Sequence, residues 1–87
     1  RLHPPAQSAL RGLTHPLEVG PHRLVEKANI FVSIYDTHRH PKYWNDPETF
    51  DPDRFTEEKR ASFHPCQFIP FGAGKRTCIG NLFAIME

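Results

Sequence analysis

The chain has 87 residues, of which 38% are hydrophobic and 24% charged, and its formal net charge is +1. This length allows one small domain at most, and the near-neutral charge gives no indication of binding to nucleic acid or to an anionic membrane surface. No apolar run approaches the roughly 20 residues that a transmembrane helix needs. Because there is neither an initiator methionine nor a signal-peptide pattern, we expect a piece of a larger protein.

The first half of the chain predicts short elements. Residues 1–10 begin as a helix end that Pro4-Pro5 breaks, since proline removes a backbone donor and clashes with the preceding turn. A short hairpin is predicted around the Gly20-Pro21 turn, with strands at 17–19 and 23–25.

A second strand region follows the hairpin. Residues 30–34 are apolar and β-branched, which predicts a buried strand. Residues 35–38 predict one helical turn. From 41 to 70 the chain carries prolines at 41, 47, 52, 65 and 70 and predicts irregular structure that a larger body would have to support.

The most informative segment lies near the C-terminal end. Residues 71–80 read Phe-x-x-Gly-x-Arg-x-Cys-x-Gly, and the following residues, 81–87, are rich in helix formers. A chance match to this spacing in so short a chain is on the order of one in a hundred thousand. The segment therefore predicts a glycine-punctuated loop that presents Cys78 just before a helix.

This loop resembles the haem-binding loop of the cytochrome P-450 superfamily, the haem-thiolate monooxygenases. The resemblance implies a mainly α fold with small β-sheet elements, of which residues 1–87 form a partial C-terminal segment of a single domain. That segment runs from the end of the K helix, through a short hairpin and strands, an irregular meander and the cysteine loop, to the start of the L helix. The cofactor implied is haem b, with Cys78 as the axial ligand of its iron.

Each fixed residue of the loop has a role in this interpretation. A thiolate ligand pushes electron density onto haem iron, and a helix that begins just after Cys78 would stabilise the thiolate. Gly74 allows a positive φ under the porphyrin, and Gly80 leaves room for the macrocycle. Phe71 would shield the sulfur from water, and Arg76 offers a fork of donors to a haem propionate.

Two alternatives concern pairs of side chains. A disulfide between Cys66 and Cys78 is possible on sequence grounds but would remove the haem ligand, so Cys66 is interpreted as a free thiol. His38 and His40 are a candidate metal pair. No third ligand is evident, so His38 and Arg39 are instead expected to pack against the haem edge or the meander.

Outside the loop, the similarity covers the whole chain. Residues 47–55 resemble the family's Pro-x-x-Phe-x-Pro-x-Arg-Phe segment. Residues 1–5 resemble the stretch after the Glu-x-x-Arg motif, so that Arg1 and Arg54 would form a structural triad with an upstream glutamate. Arg11 is a candidate for a second propionate contact, with a solvated arginine as the alternative.

The resemblance also implies substrate and redox partners. Residues 5–10 match a substrate-contacting region, so Ala6, Ser8, Ala9 and Leu10 are candidate pocket residues for a small, apolar organic substrate. The other partners are O₂ and an electron donor, either a reductase or a ferredoxin. Lys75 is a candidate for the docking of that donor.

The implied reaction is RH + O₂ + 2e⁻ + 2H⁺ → ROH + H₂O. Three other interpretations of the function are open. The protein could be a relative that rearranges or dehydrates hydroperoxides, a haem sensor or inactive copy, or a small zinc or scaffold module. The cysteine and histidine spacings fit no standard zinc site. The run from Cys78 onward slightly favours a soluble, bacterial-type cytoplasmic protein over one anchored in a membrane through an N-terminal helix.

Overall fold

The strands lie in the first 33 residues and the helices follow them, in a computed structural model that describes residues 1–87. The elements in chain order are β1 (Ser8–Gly12), β2 (Leu17–Val19), β3 (His22–Leu24), β4 (Asn29–Ser33), α1 (Ile34–Thr37), a 3₁₀ helix (Pro52–Phe55), α2 (Glu57–Ala61), a second 3₁₀ helix (Gly74–Arg76) and α3 (Asn81–Met86).

Two antiparallel two-stranded sheets form, one nested within the other along the chain. Strand β1 pairs with β4, so that Ser8 lies opposite Ser33. Between them β2 and β3 form the predicted hairpin, and Gly20 supplies the positive φ of 57° that its turn requires. The hairpin prediction is confirmed, with its second strand at His22–Leu24 rather than at 23–25.

Two other expectations for this half need correction. Residues 1–10 contain no helix end, because Ser8–Gly12 instead pairs with β4 and the prolines before it supply no backbone donors. The strand predicted at 30–34 exists as Asn29–Ser33, but it is not buried: the Phe31 side chain is 70% exposed. A sheet of two strands has no second layer within residues 1–87 to cover it. The helical turn that follows, α1, confirms the prediction for 35–38 within one residue.

The core is formed by Ile34 of α1, which is 3% exposed, and by an aromatic cluster of the meander, residues 41–70. Trp44 is only 2% exposed and donates from its indole N–H to the Thr37 carbonyl at 3.1 Å. Phe63 meets it edge-on, with ring centroids 5.3 Å apart, and Phe55 lies 4.8 Å from Phe68 in the same cluster. Such aromatic pairs contribute about 0.5–1.5 kcal/mol each beyond their buried area. They hold an otherwise irregular chain in one shape.

The meander also contains two short helices that the sequence analysis did not predict. Asp51 accepts a hydrogen bond from the Asp53 amide at 3.0 Å and caps the 3₁₀ helix Pro52–Phe55, in which Pro52 occupies the first turn. Helix α2 follows with acidic residues in its first turn and basic residues in its last, which suits the helix dipole. The prolines of residues 41–70 predict irregular structure, but a proline at the start of a helix costs no hydrogen bond.

Little of the chain is buried. Four of the 87 residues are buried, and the accessible surface is 7301 Å², against about 5,300 Å² for a compact protein of this mass. The radius of gyration is 14.9 Å, where about 12 Å is expected for this length. The segment is therefore an open surface built around the aromatic meander. No helix in it has the length and apolar character needed to cross a membrane.

Candidate functional site

The segment 71–80 forms a closed loop whose two sides are joined by the backbone. The Cys78 N–H donates to the Phe71 carbonyl at 2.8 Å, and the Thr77 N–H donates to the Gly74 carbonyl at 3.1 Å. Gly72 and Gly74 both have positive φ, 74° and 72°, which side chains rarely adopt. The prediction for Gly74 is confirmed, and Gly72 is a second such position that the sequence analysis passed over.

Cys78 stands at the end of this loop with an exposed thiol. A Cβ added to Gly80 would lie 3.8 Å from the Cys78 sulfur, so Gly80 keeps the backbone close to the sulfur without covering it. Helix α3 then begins at Asn81, with Gly80 as its N-cap residue, as predicted. Cys66 is also a free, exposed thiol, so the interpretation of Cys66 as unpaired is confirmed.

Two arginines flank the loop. Arg11, on β1, donates from Nη1 to the Leu10 carbonyl at 2.8 Å and from Nη2 to the carbonyl of Arg76 at 3.4 Å. A Cβ at Gly72 would make only an ordinary contact with Arg11 Nη2, at 3.9 Å, so it is the positive φ that favours glycine at this position. Arg76 is itself exposed. The strand and the loop therefore bring the two candidate propionate contacts to one edge of the site.

The candidate substrate residues divide between two faces. Ser8 and Leu10 alternate with Ala9 and Arg11 along β1, and successive side chains of a strand point to opposite sides. Ala9 and Arg11 line a cleft of about 290 Å³ together with Cys66 and Ala73. Ala6 precedes the strand and is exposed. A substrate pocket on either face of β1 would therefore be lined by only some of the predicted substrate-contacting residues.

Two buried polar side chains, which the sequence analysis did not assign to the site, hold the chain just before the loop. His38 is 0% exposed and Gln67 is 9% exposed. Gln67 donates from Nε2 to the Tyr43 carbonyl at 2.9 Å, and His38 Nε2 accepts from the Ile69 N–H at 2.9 Å. For Gln67 the only sequence signal is a polar residue within an aromatic-rich stretch, whereas the expectation for His38 is that it packs against the haem edge or the meander.

His38 and Arg39 both contact residues of the meander. His38 lies against the meander ring of Phe68, with centroids 5.1 Å apart. Arg39 forms an ion pair with Glu48 at 2.8 Å and stacks over Tyr35 at 3.8 Å. The Nε2 of His38 accepts from the Ile69 amide, and no group of three or more His, Cys, Asp or Glu side chains is placed to hold a metal ion.

Arg1 ties the start of the chain to the meander. Its guanidinium donates to the carbonyls of His38 at 2.8 Å, Pro47 at 2.6 Å and Thr49 at 3.0 Å. Burial lowers the pKa of Arg1, and the positive charges of Arg54 and then Arg39 lower it further.

Arg54, the other arginine of the expected triad, donates from Nη2 to the Asp46 carbonyl at 3.0 Å. Its Nε lies 3.7 Å from Asp51, too far for a hydrogen bond, and is buried without a partner. Arg1 and Arg54 are thus close neighbours of like charge, an arrangement that an additional carboxylate would stabilise.

The donor set of the loop fits a haem group. It offers one free, exposed sulfur on Cys78. Phe71 lies at the other end of the loop, Arg76 lies within the loop, and the Arg11 guanidinium contacts the Arg76 backbone. A thiolate is a known protein ligand of haem iron, and guanidinium groups match the geometry of carboxylates such as the two propionates.

Comparison with known proteins identifies the family. The family model described as "Cytochrome P450" matches residues 1–87, so the chain belongs to the cytochrome P450 family. The chain is 49% identical to "Cytochrome P450 4F5" of Rattus norvegicus, 46% identical to "Cytochrome P450 4X1" of Mus musculus and 44% identical to "Probable cytochrome P450 4aa1" of Drosophila melanogaster.

Each of these matches covers all of this chain but only 17% of the relative. The chain therefore spans about a sixth of the length of the curated relatives that it matches. Membership confirms the resemblance stated from the loop, and it implies the family's fold and haem cofactor.

Proposed function

We propose that this chain is the haem-ligand segment of a haem-thiolate monooxygenase, in which Cys78 supplies the axial sulfur. The observation that carries the proposal is the closed loop 71–80. It holds an unpaired thiol, exposed, at the end of a turn fixed by the 2.8 Å hydrogen bond from Cys78 to Phe71. The bound haem, of type b, would supply the activation of O₂ and the transfer of one oxygen atom to an organic substrate.

The residues around the sulfur have separate tasks in this proposal. Gly80 leaves the sulfur accessible on the side of α3, and Phe71 excludes water from the other end of the loop. Arg76, together with Arg11, would bind the propionate carboxylates of the haem and so orient it. A charge-assisted hydrogen bond of this kind is worth about 1.5–3 kcal/mol.

The tasks of the more distant residues are structural and substrate-related. Arg1 and Arg54 hold the meander. Ala9 is the candidate substrate contact that lines the same cleft as Arg11 and Ala73 of the loop, while Ser8, Leu10 and Ala6 do not line that cleft. Electrons come from a reductase or ferredoxin. The relatives named above are animal proteins, so they lend no support to a bacterial-type soluble protein, and localisation stays a prediction.

The reaction class is tested with the full-length protein that carries this segment, supplied with an electron donor and ¹⁸O-labelled O₂. A monooxygenase places one labelled atom in the product and one in water. Turnover of hydroperoxides without O₂ or electrons would instead identify the isomerase or dehydratase relative. Haem binding with neither activity would identify an inactive member.

A further inference from the structure

His38 connects helix α1 to the start of the cysteine loop. The residue caps the C-terminal end of α1, and its ring is 0% exposed. Its Nε2 accepts the Ile69 N–H at 2.9 Å, and the Ile69 carbonyl in turn accepts the Gly72 N–H at 3.0 Å. The first turn of the loop therefore starts from a residue whose backbone this imidazole holds.

The hydrogen bond from Ile69 defines the tautomer of the His38 ring. Because Nε2 accepts, the single proton of the neutral imidazole lies on Nδ1, and Nδ1 is buried without a partner. An unpartnered buried donor is unfavourable, so packing alone would favour an apolar ring here. The presence of a histidine at this buried position is explained by the hydrogen-bond acceptor, Nε2, that it provides for the Ile69 N–H.

The surroundings keep the ring neutral. Burial lowers the pKa of His38, and the guanidinium groups of Arg1 and Arg39 act in the same direction. The charged side chains of residues 1–87 that lower this pKa are thus basic ones. The neighbouring carboxylate of Glu48 is paired with Arg39.

We infer that His38 is a positioning residue for the thiolate: its Nε2 fixes the backbone at Ile69 and thereby the place from which the loop delivers Cys78. Gln67 supports the same segment from the other side through the Tyr43 carbonyl, at 2.9 Å. The inference rests on the proposed function, in which Cys78 binds iron. It assigns a role at the ligand to the histidine that caps the C-terminal end of α1.

Two amide variants separate the acceptor from the packing. In His38→Gln the side-chain oxygen reaches the position of Nε2, whereas in His38→Asn it reaches only that of Nδ1. His22→Gln, at an exposed histidine of the β2–β3 hairpin, is the matched surface control. All are made in the full-length protein.

Two measurements test whether His38 holds the backbone at Ile69 and thereby positions Cys78. The first is amide hydrogen exchange of the peptide that contains Ile69, which needs no haem. The second is the rate at which the reduced, CO-bound protein loses the long-wavelength Soret band of thiolate ligation. Both rates should rise about five- to tenfold in His38→Asn, the loss expected for one hydrogen bond. They should stay within about twofold of the wild type in His38→Gln and in His22→Gln.

Equal behaviour of the Gln and Asn variants, whether both are like the wild type or both are impaired, would overturn the inference, because the position of the acceptor would then be irrelevant. A wild-type protein without the thiolate band would refute the proposed function instead. In that case hydrogen exchange at Ile69 still decides whether His38 holds the loop.

Discussion

Arg11 and Arg76 are 65 positions apart in the chain, yet Arg11 Nη2 lies 3.4 Å from the Arg76 carbonyl oxygen. One belongs to strand β1 and the other to the 3₁₀ helix inside the cysteine loop. Strand β1 thus lies beside the cysteine loop and brings the Arg11 guanidinium to the backbone of Arg76, so that the two candidate propionate contacts are neighbouring residues.

Replacing Arg76 should weaken haem binding. Loss of one charge-assisted hydrogen bond, about 1.5–3 kcal/mol, corresponds to haem release faster by about one to two orders of magnitude for Arg76→Leu. Arg11→Leu should have a smaller effect, because its guanidinium is partly used by the Leu10 carbonyl. Haem transfer to a scavenger globin measures both rates. Arg23→Leu, on the exposed hairpin, is the control, and equal rates in all three variants would contradict the assignment.

Arg1 should be irreplaceable by lysine. Its planar fork reaches three carbonyls, those of His38, Pro47 and Thr49, and a lysine ammonium cannot span them. We expect Arg1→Lys to lower the free energy of unfolding by about 2 kcal/mol, read from the urea midpoint of the full-length protein. Arg23→Lys should leave the midpoint unchanged. An Arg1→Lys midpoint equal to that of the wild type would show that the three hydrogen bonds contribute nothing.

The cysteine loop and the hairpin could be predicted from the sequence because both depend on local chemistry. Gly74 and Gly20 permit positive φ, and the fixed spacing around Cys78 specifies the turn. Helix α3 begins where its run of helix formers begins.

The failures have a different cause, since each depended on distant contacts. Strand β1 replaced an expected helix end because β4 pairs with it. The roles of His38 and Gln67 depend on partners 31 and 24 positions away. Hydrophobicity predicted burial for β4, but burial also needs a second layer, which residues 1–87 do not provide.

The stability of the protein should fall in acid through His38. Burial lowers the pKa of the ring below its ordinary 6.5. As the pH falls below 6.5, the unfolded chain takes up a proton that the folded protein does not, so folding becomes less favourable. One such proton contributes at most about 1.4 kcal/mol for each pH unit.

Urea midpoints of the wild type and of His38→Gln measure this effect, since glutamine does not titrate. The difference between these two midpoints should change as the pH is lowered. The difference between the midpoints of the wild type and His22→Gln should not change through the titration of His38, because both proteins retain His38. A difference between wild type and His38→Gln that is independent of pH would contradict the titration of His38.

The isolated segment 1–87 should neither melt cooperatively nor hold haem in a stable one-to-one complex. Only four residues are buried, whereas ordering the chain costs about 1–2 kcal/mol per residue. Circular dichroism during heating and titration with haem measure both properties. A cooperative melt together with tight, stoichiometric haem binding would show that the segment folds alone.

The ligation of haem iron by Cys78 is tested most directly by the absorption of the reduced, CO-bound full-length protein. The account predicts a Soret band at the long wavelength typical of thiolate ligation in the wild type and in Cys66→Ala, and no such band in Cys78→Ala. Survival of the band in Cys78→Ala, with its loss in Cys66→Ala, would contradict the account.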